Sequence, residues 1–64
     1  MVGSKIKQYL TENGIKIKFL ADKTGISQGV IYSICRDETK INIVDYFKIC
    51  EALGLSADYF REED

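Results

Sequence analysis

Histidine, tryptophan and proline are missing from this 64-residue chain, and cysteine occurs only twice, as Cys35 and Cys50. Both cysteines fall inside apolar helical patterns, so we predict reduced, buried thiols and neither a zinc site nor a disulfide scaffold. The chain also lacks a histidine base, paired carboxylates on one helix face and a phosphate-cradling glycine loop. It is too short to enclose a substrate pocket. We therefore predict no enzyme activity, no metal and no cofactor.

Long hydrophobic runs are missing as well. No apolar segment approaches the roughly 18 to 20 residues that span a bilayer, and the first residues lack the apolar run of a secretory signal. We therefore expect a cytoplasmic protein that does not enter a membrane. With 45% hydrophobic and 30% charged residues and no low-complexity stretch, residues 1–64 are predicted to form one globular domain, near the lower size limit for a fold held by its core alone.

The net charge of −1 conceals an uneven distribution. Residues 1–40 hold seven basic and four acidic side chains, whereas residues 41–64 hold two basic and six acidic ones. An anionic partner would therefore meet the N-terminal part of the chain. An ordinary solvated surface with a chance asymmetry explains the same distribution, so the charge distribution alone does not establish an anionic partner.

Five short helical segments are predicted, and no stretch alternates like a strand. The first covers about residues 4–12 and ends at Asn13-Gly14, which tolerates positive φ. The second stops at Thr24-Gly25 and has an apolar inner stripe of Ile17, Leu20 and Ala21. Ser27 is the predicted cap of the third helix, which is continued by Val30, Ile31 and Ile34.

The remaining chain is predicted to hold a polar loop over residues 36–41 and two more helices. Asn42 and Asp45 form a predicted capping pair at the start of the fourth helix, which Gly54 ends. Its apolar residues are Ile43, Tyr46, Phe47, Ile49, Cys50 and Leu53. Ser56 is expected to cap a short last helix. Connections of two to six residues suit a compact all-α domain.

The second and third helices carry the most specific pattern. A small residue at Ala21 lets the two helices cross closely, and Gly25 can take the left-handed conformation of a tight turn between them. The angle between the helices is filled by Ile26, Ile31 and Ile34. Together these residues predict a central helix-turn-helix.

Two stretches resemble a known family. The segment IKIKFLADKTGISQGVIYSI, residues 15–34, resembles the helix-turn-helix of the Cro/C1-type (XRE family) DNA-binding domain of phage and bacterial repressors. The closing segment of that family resembles FKICEALGLSADYF, residues 47–60, which lies at the right distance along the chain from the helix-turn-helix. The resemblance covers almost the whole chain and implies a five-helix, lambda-repressor-like domain.

The resemblance also implies that helix 27–35 lies in the DNA major groove. Its base-reading positions then hold Gln28, Gly29, Tyr32 and Ser33. Phosphate contacts are expected from Lys16, Lys18, Ser27, Arg36, Lys40 and Asn42. The alternative is that both sets are solvent-exposed surface residues without a ligand.

Some positions depart from the family pattern. Ile17 occupies a position where glutamine is common, and Asp37 one where glycine is frequent. Asp37 and Glu38 also place negative charge in a loop expected near DNA. The family often pairs an arginine in the first helix with a glutamate at the end of the third. Leu10 and Cys35 hold those positions here, so we predict that a hydrophobic contact replaces the ion pair.

These features favour a sequence-specific transcriptional regulator, in particular a repressor that binds a palindromic operator in double-stranded DNA as a homodimer. Its dimer surface is predicted at the end of the fourth helix and in the last segment, around Leu55, Tyr59 and Phe60, although these three could equally be core residues. One alternative is the DNA-binding antitoxin of a toxin–antitoxin pair. Another is a protein-interaction module that kept the fold and lost DNA binding. Residues 62–64 are predicted to be a frayed, solubilising tail.

Overall fold

The computed structural model describes residues 2–60, and that part of the chain folds into four α-helices with no strand. They are α1 (Val2–Glu12), α2 (Ile17–Thr24), α3 (Gln28–Cys35) and α4 (Ile43–Leu53). The all-α prediction is confirmed, and α1 starts two residues earlier than predicted. None of these four helices is both long enough and apolar enough to cross a membrane.

The prediction of a fifth helix is wrong for the described residues, because residues 57–60 form a turn. The Tyr59 N–H donates to the carbonyl of Ser56 at 3.1 Å, a bond that spans three residues. An α-helix requires a ladder of bonds to the fourth residue back. Residues 62–64, the predicted frayed tail, lie outside the described part of the chain.

The turn between α2 and α3 follows the prediction closely. Gly25 has φ of 77° and its N–H donates to the carbonyl of Ala21 at 2.8 Å. The Thr24 hydroxyl donates to the carbonyl of Leu20 at 2.8 Å and accepts from the Ile26 N–H at 3.1 Å. The end of α2 leaves some backbone groups without helical partners, and these local hydrogen bonds satisfy them. The same bonds fix the angle at which α3 leaves the turn.

The start of α4 also confirms a prediction. The Asn42 side-chain oxygen accepts from the Asp45 N–H at 2.8 Å, and the Asn42 amide donates to the Asp45 carboxylate at 3.1 Å. Gly54 ends the helix with φ of 71°. A polar pair at one end and a left-handed glycine at the other thus set the length of α4.

One core lies among the helices, with α2 packed on both α3 and α4 and with α1 packed on α3. The buried apolar side chains are Ile6, Leu10, Leu20, Ile26, Ile31, Ile34, Cys35, Ile49, Cys50 and Phe60. Leu10 and Cys35 belong to this cluster, so apolar residues do fill the positions where the family often has an ion pair. Cys35 and Cys50 are buried and free, as predicted.

The last described segment folds back onto the helices. Phe60 is 2% exposed, and its ring meets that of Tyr9 edge-on with 5.8 Å between centroids. The Tyr46 hydroxyl donates to the carbonyl of Ala57. The turn therefore closes the core against α1 and α4 without being helical.

Candidate nucleic-acid interface

The two faces of α3 differ in burial as the sequence predicts. Ile31 and Ile34 are buried against the core, whereas Gln28, Gly29 and Tyr32 are exposed and Ser33 is half-buried. The exposed face of α3 carries no charged side chain. Exposed helix faces ordinarily carry charged residues, so this face is suited to a neighbour that offers hydrogen bonds and apolar groups.

Val30 also belongs to the exposed side of α3, with 42% of its surface accessible. The sequence places it beside Ile31 and Ile34 as a continuation of the helix. The inner stripe instead runs through Ile31, Ile34 and Cys35, at helical spacings of three and four residues. Val30 lies four residues before Ile34, so its spacing alone also fits the stripe, and its exposure shows that it is turned toward the flank.

Ser27 fixes the first turn of α3. Its backbone is extended, and its hydroxyl oxygen accepts from the Val30 N–H at 3.3 Å. One backbone donor at the helix start is thereby satisfied, while Ser27 itself stays exposed. The remaining N–H groups at this end, together with the positive end of the helix dipole, favour a negatively charged neighbour such as a phosphate.

Lys16 and Lys18 flank the start of α2, and both are exposed. Lys16 occupies the cap position with an extended backbone, and no side-chain cap is formed there within the described chain. Ile17 between them is half-buried and packs against the core. The departure from glutamine at Ile17 therefore adds to packing, and the two lysines supply the charge at this helix start.

Arg36 forms an ion pair within the loop after α3. Its Nε lies 3.3 Å from Oε2 of Glu38, and both side chains remain more than half exposed. An exposed pair of this kind contributes about 1 kcal/mol or less, so a phosphate can compete with Glu38 for the guanidinium. Lys40 is exposed further along the loop, and exposed Asn42 is engaged as the cap of α4.

Asp37 adopts the left-handed conformation that glycine favours, with φ of 58°. Its N–H donates to the carbonyl of Ile34 at 3.0 Å, and its carboxylate accepts from the Ser4 hydroxyl of α1. Aspartate tolerates this conformation better than most residues with a side chain. The loop therefore keeps its turn without glycine, and one of its two acidic groups is bound to α1.

Burial raises the pKa of both thiols. For Cys35, burial is the main cause, with Asp37 adding to the rise and Lys7 opposing it. Burial also raises the pKa of Cys50. Both thiols therefore stay protonated near neutral pH, unlike a nucleophilic cysteine. Among residues 2–60, no group of three or more potential ligand side chains is arranged to hold a metal ion.

The sequence leaves two roles open for Leu55, Tyr59 and Phe60, a dimer surface or the core. Phe60 is a core residue and Leu55 is half-buried. Tyr59 is exposed, but its ring packs edge-on against Tyr9 and Phe60, at 5.4 and 5.0 Å between centroids. Large exposed apolar side chains occur instead on α4 and include Ile43 and Phe47, which the sequence assigned to the apolar residues of that helix.

A comparison with protein families agrees with this geometry. The family profile described as "Helix-turn-helix" matches residues 6–60, from the middle of α1 to the end of the described chain. No curated protein and no solved structure gave a significant match. The profile match includes α2, the turn and α3, where the exposed uncharged face lies.

Proposed function

The chain belongs to the Cro/C1-type (XRE) helix-turn-helix family of DNA-binding regulators, and from this premise we propose that it is a sequence-specific repressor that inserts α3 into the DNA major groove. The observation that carries the proposal is the contrast between the faces of α3. Ile31 and Ile34 anchor one face in the core, while the other presents uncharged side chains to solvent. A rigid helix of this kind fits the width of the major groove.

Gln28 is the principal base-reading residue in this proposal. It lies exposed in the first turn of α3, the part of the reading helix that reaches base edges. A carboxamide can accept from N6 and donate to N7 of adenine at the same time, and such a bidentate contact contributes about 1 to 3 kcal/mol of discrimination. Ser33 and Tyr32 lie about one turn further along and read neighbouring positions.

Gly29 contributes to the proposed contact with DNA bases through its lack of a side chain. A Cβ atom built at this position would meet nothing within 4 Å apart from its chain neighbours and the nearby backbone of its own helix. Packing inside the protein therefore does not require glycine there, and the open space allows close approach of the helix backbone to a base edge. A thymine methyl group fits such a space.

Phosphate contacts hold the reading helix in register. Lys16 and Lys18 at the start of α2, with Ser27 at the start of α3, form one clamp, and Lys40 with the capped Asn42 forms a second beyond the loop. Arg36 joins the second clamp when a phosphate displaces Glu38. These contacts supply affinity that depends on salt and not on sequence.

A homodimer on a palindromic operator completes the proposal. One reading helix covers only a few base pairs, which is too few for selective binding. Two copies related by a two-fold axis would read half-sites about 34 Å apart. Binding of two copies would also double the number of phosphate contacts.

Selection of bound sequences from randomised duplex DNA, with the purified chain at several stated salt concentrations, tests the proposal. We expect enrichment of a palindromic motif and an affinity that falls steeply as salt rises. No enrichment and no salt-dependent binding, even at low ionic strength, would contradict it. That result would favour the alternative of an interaction module that kept the fold and lost DNA binding. A neighbouring toxin gene would identify the antitoxin alternative.

A further inference from the structure

The Asp37 side chain turns away from its own loop and lies against the first turn of α1. Its Oδ2 accepts from the Ser4 hydroxyl, and its Oδ1 lies 2.7 Å from the position of a Cβ atom built on Gly3. The first turn of α1 contains no acidic residue of its own. The Asp37 carboxylate therefore supplies the negative charge that the positive end of the α1 dipole favours.

Backbone bonds within the loop do not fix this side-chain position. The N–H groups of Asp37 and Glu38 donate to the carbonyls of Ile34 and Ser33, at 3.0 and 2.9 Å. These bonds hold the left-handed turn, but they leave the side-chain torsions of Asp37 free to choose among staggered rotamers. The bond from Ser4 selects the rotamer that turns the carboxylate toward α1.

Asp37 lies between the two basic residues of the loop that are expected to contact phosphates. It lines one groove beside α1 together with Arg36 and a second groove together with Lys40. Arg36 is already paired with Glu38, whereas Lys40 is exposed and forms no ion pair within residues 2–60. A carboxylate released from Ser4 can turn into the groove that it shares with Lys40. Pairing there would leave less positive charge for a phosphate.

We propose that Ser4 is a positioning residue for DNA binding, because it holds the Asp37 carboxylate on α1 and so keeps Lys40 available to a phosphate. The inference rests on the proposed function, in which the loop after α3 contacts DNA. The acidic residue that stands where the family frequently has glycine is then compatible with DNA binding. Its charge is engaged by α1 and does not compete with the DNA backbone.

Ser4→Ala tests this role without changing the net charge. Ser4 is exposed in α1, where alanine is well tolerated, so the variant should fold. The released carboxylate then competes with a phosphate for Lys40. We expect the operator affinity to fall about two- to fivefold for each bound copy, as for an exposed ion pair. The slope of log affinity against log salt should become shallower by up to about 1, with base preference unchanged.

Two further variants are the controls. Ser4→Thr keeps a hydroxyl donor and should bind DNA like the natural chain. Thr11→Ala removes another exposed hydroxyl of α1, which lines the same groove as Arg36 and Asp37 but makes no described bond to the loop. It should leave both the affinity and the salt slope unchanged. Thermal unfolding of each variant checks that it folds.

A double-mutant cycle with Asp37→Asn isolates the carboxylate. Asparagine tolerates the left-handed conformation as aspartate does, but its amide cannot form an ion pair with Lys40. In the Asp37→Asn background, Ser4→Ala should therefore change neither the affinity nor the salt slope. Equal losses in both backgrounds would overturn the proposal. A Ser4→Ala variant with lower thermal stability and an unchanged salt slope would also overturn it, since a contact that only stabilises the fold gives that result.

The same measurements separate the role of Ser4 from the proposed function. If the natural chain binds its operator in a salt-dependent manner and Ser4→Ala binds equally well, the role of Ser4 is overturned while the reading by α3 stands. If the natural chain shows no salt-dependent binding to any duplex, the proposed function fails and the role of Ser4 fails with it. A loss in Ser4→Ala that disappears in the Asp37→Asn background supports both.

Discussion

A Cβ atom placed on Gly3 would lie only 1.9 Å from the carbonyl oxygen of Ile34. The backbone of α1 therefore runs directly against the end of α3. An added methyl group forces the two helices apart, at a cost of about 1 to 3 kcal/mol for overpacking. Alanine's better helix propensity returns up to about 1 kcal/mol of this. We expect Gly3→Ala to lower the free energy of unfolding by about 1 to 2 kcal/mol, as measured by urea denaturation.

Gly29→Ala is the matched control, because Gly29 is also helical but has open space where its Cβ would lie. Alanine should raise the free energy of unfolding here by up to about 1 kcal/mol, since it loses less backbone entropy on folding. Equal destabilisation by both substitutions would show that the crossing of α1 and α3 is not as close as described.

Gln28→Ala should relax base preference without unfolding the domain. Removal of a bidentate adenine contact reduces discrimination by about 1 to 3 kcal/mol, roughly 5- to 150-fold in relative affinity. The salt dependence of binding should not change, because no phosphate contact is removed. Competition between the selected operator and single-base variants of it measures the effect.

Gln8→Ala provides the comparison for Gln28→Ala, since Gln8 is also an exposed helical glutamine and its amide donates to Glu12, at 3.1 Å. Base preference should be the same as in the natural chain. If Gln28→Ala likewise left the preference intact, α3 would not be the reading helix.

Glu38→Gln should strengthen DNA binding by releasing Arg36 from its ion pair. The freed guanidinium can contact a phosphate, and loss of the carboxylate removes a repulsive charge. The slope of log affinity against log salt should become steeper by about 1 for the added phosphate contact. The effect should be similar for all DNA sequences.

A double-mutant cycle separates the release of Arg36 from the general change in charge. In an Arg36→Gln background, Glu38→Gln should produce only a small gain in affinity and little further change in the salt slope. Equal gains in both backgrounds would mean that Arg36 does not contact DNA.

Alkaline pH should destabilise the fold through the buried thiols. Burial raises the pKa of Cys35 and Cys50 above the ordinary value of 9.0, so folding favours the protonated form. This stability is fully present below the unfolded pKa and is lost as the pH rises through the higher folded values. Urea denaturation in steps across that range measures the loss.

The Cys35→Ala/Cys50→Ala variant is the control for this pH dependence. It should be less stable at neutral pH because atoms are removed from the core, but its stability should decline less as the pH rises. Burial also raises the pKa of Tyr46 above 10.0, so some decline remains at higher pH. Parallel pH profiles for the natural chain and the variant would contradict the assignment to the thiols.

Features governed by short-range chemistry could be predicted from the sequence. Ser27 and Asn42 cap their helices because each side-chain oxygen needs only a backbone N–H three residues ahead. Gly25 and Gly54 end helices because they adopt positive φ without strain. The exposed, uncharged face of α3 could also be predicted, since the apolar stripe of the helix defines its opposite side.

Features governed by contacts between distant residues could not be predicted. The need for glycine at Gly3 appears only once α1 lies on the end of α3. Phe47 and Phe60 carry the same side chain, yet one is half exposed and the other is in the core, because the turn at residues 57–60 folds toward Tyr9. The bond between Ser4 and Asp37 likewise joins residues 33 positions apart.

The distance in sequence between Ser4 and Asp37 affects the order in which the helices fold. The turn between α2 and α3 is stabilised by bonds between residues two to four positions apart, so it can form with little loss of chain entropy. The bond between Ser4 and Asp37 closes a loop of about half the chain, which costs more entropy before any contact is gained. We expect α2 and α3 to come together first and α1 to dock last.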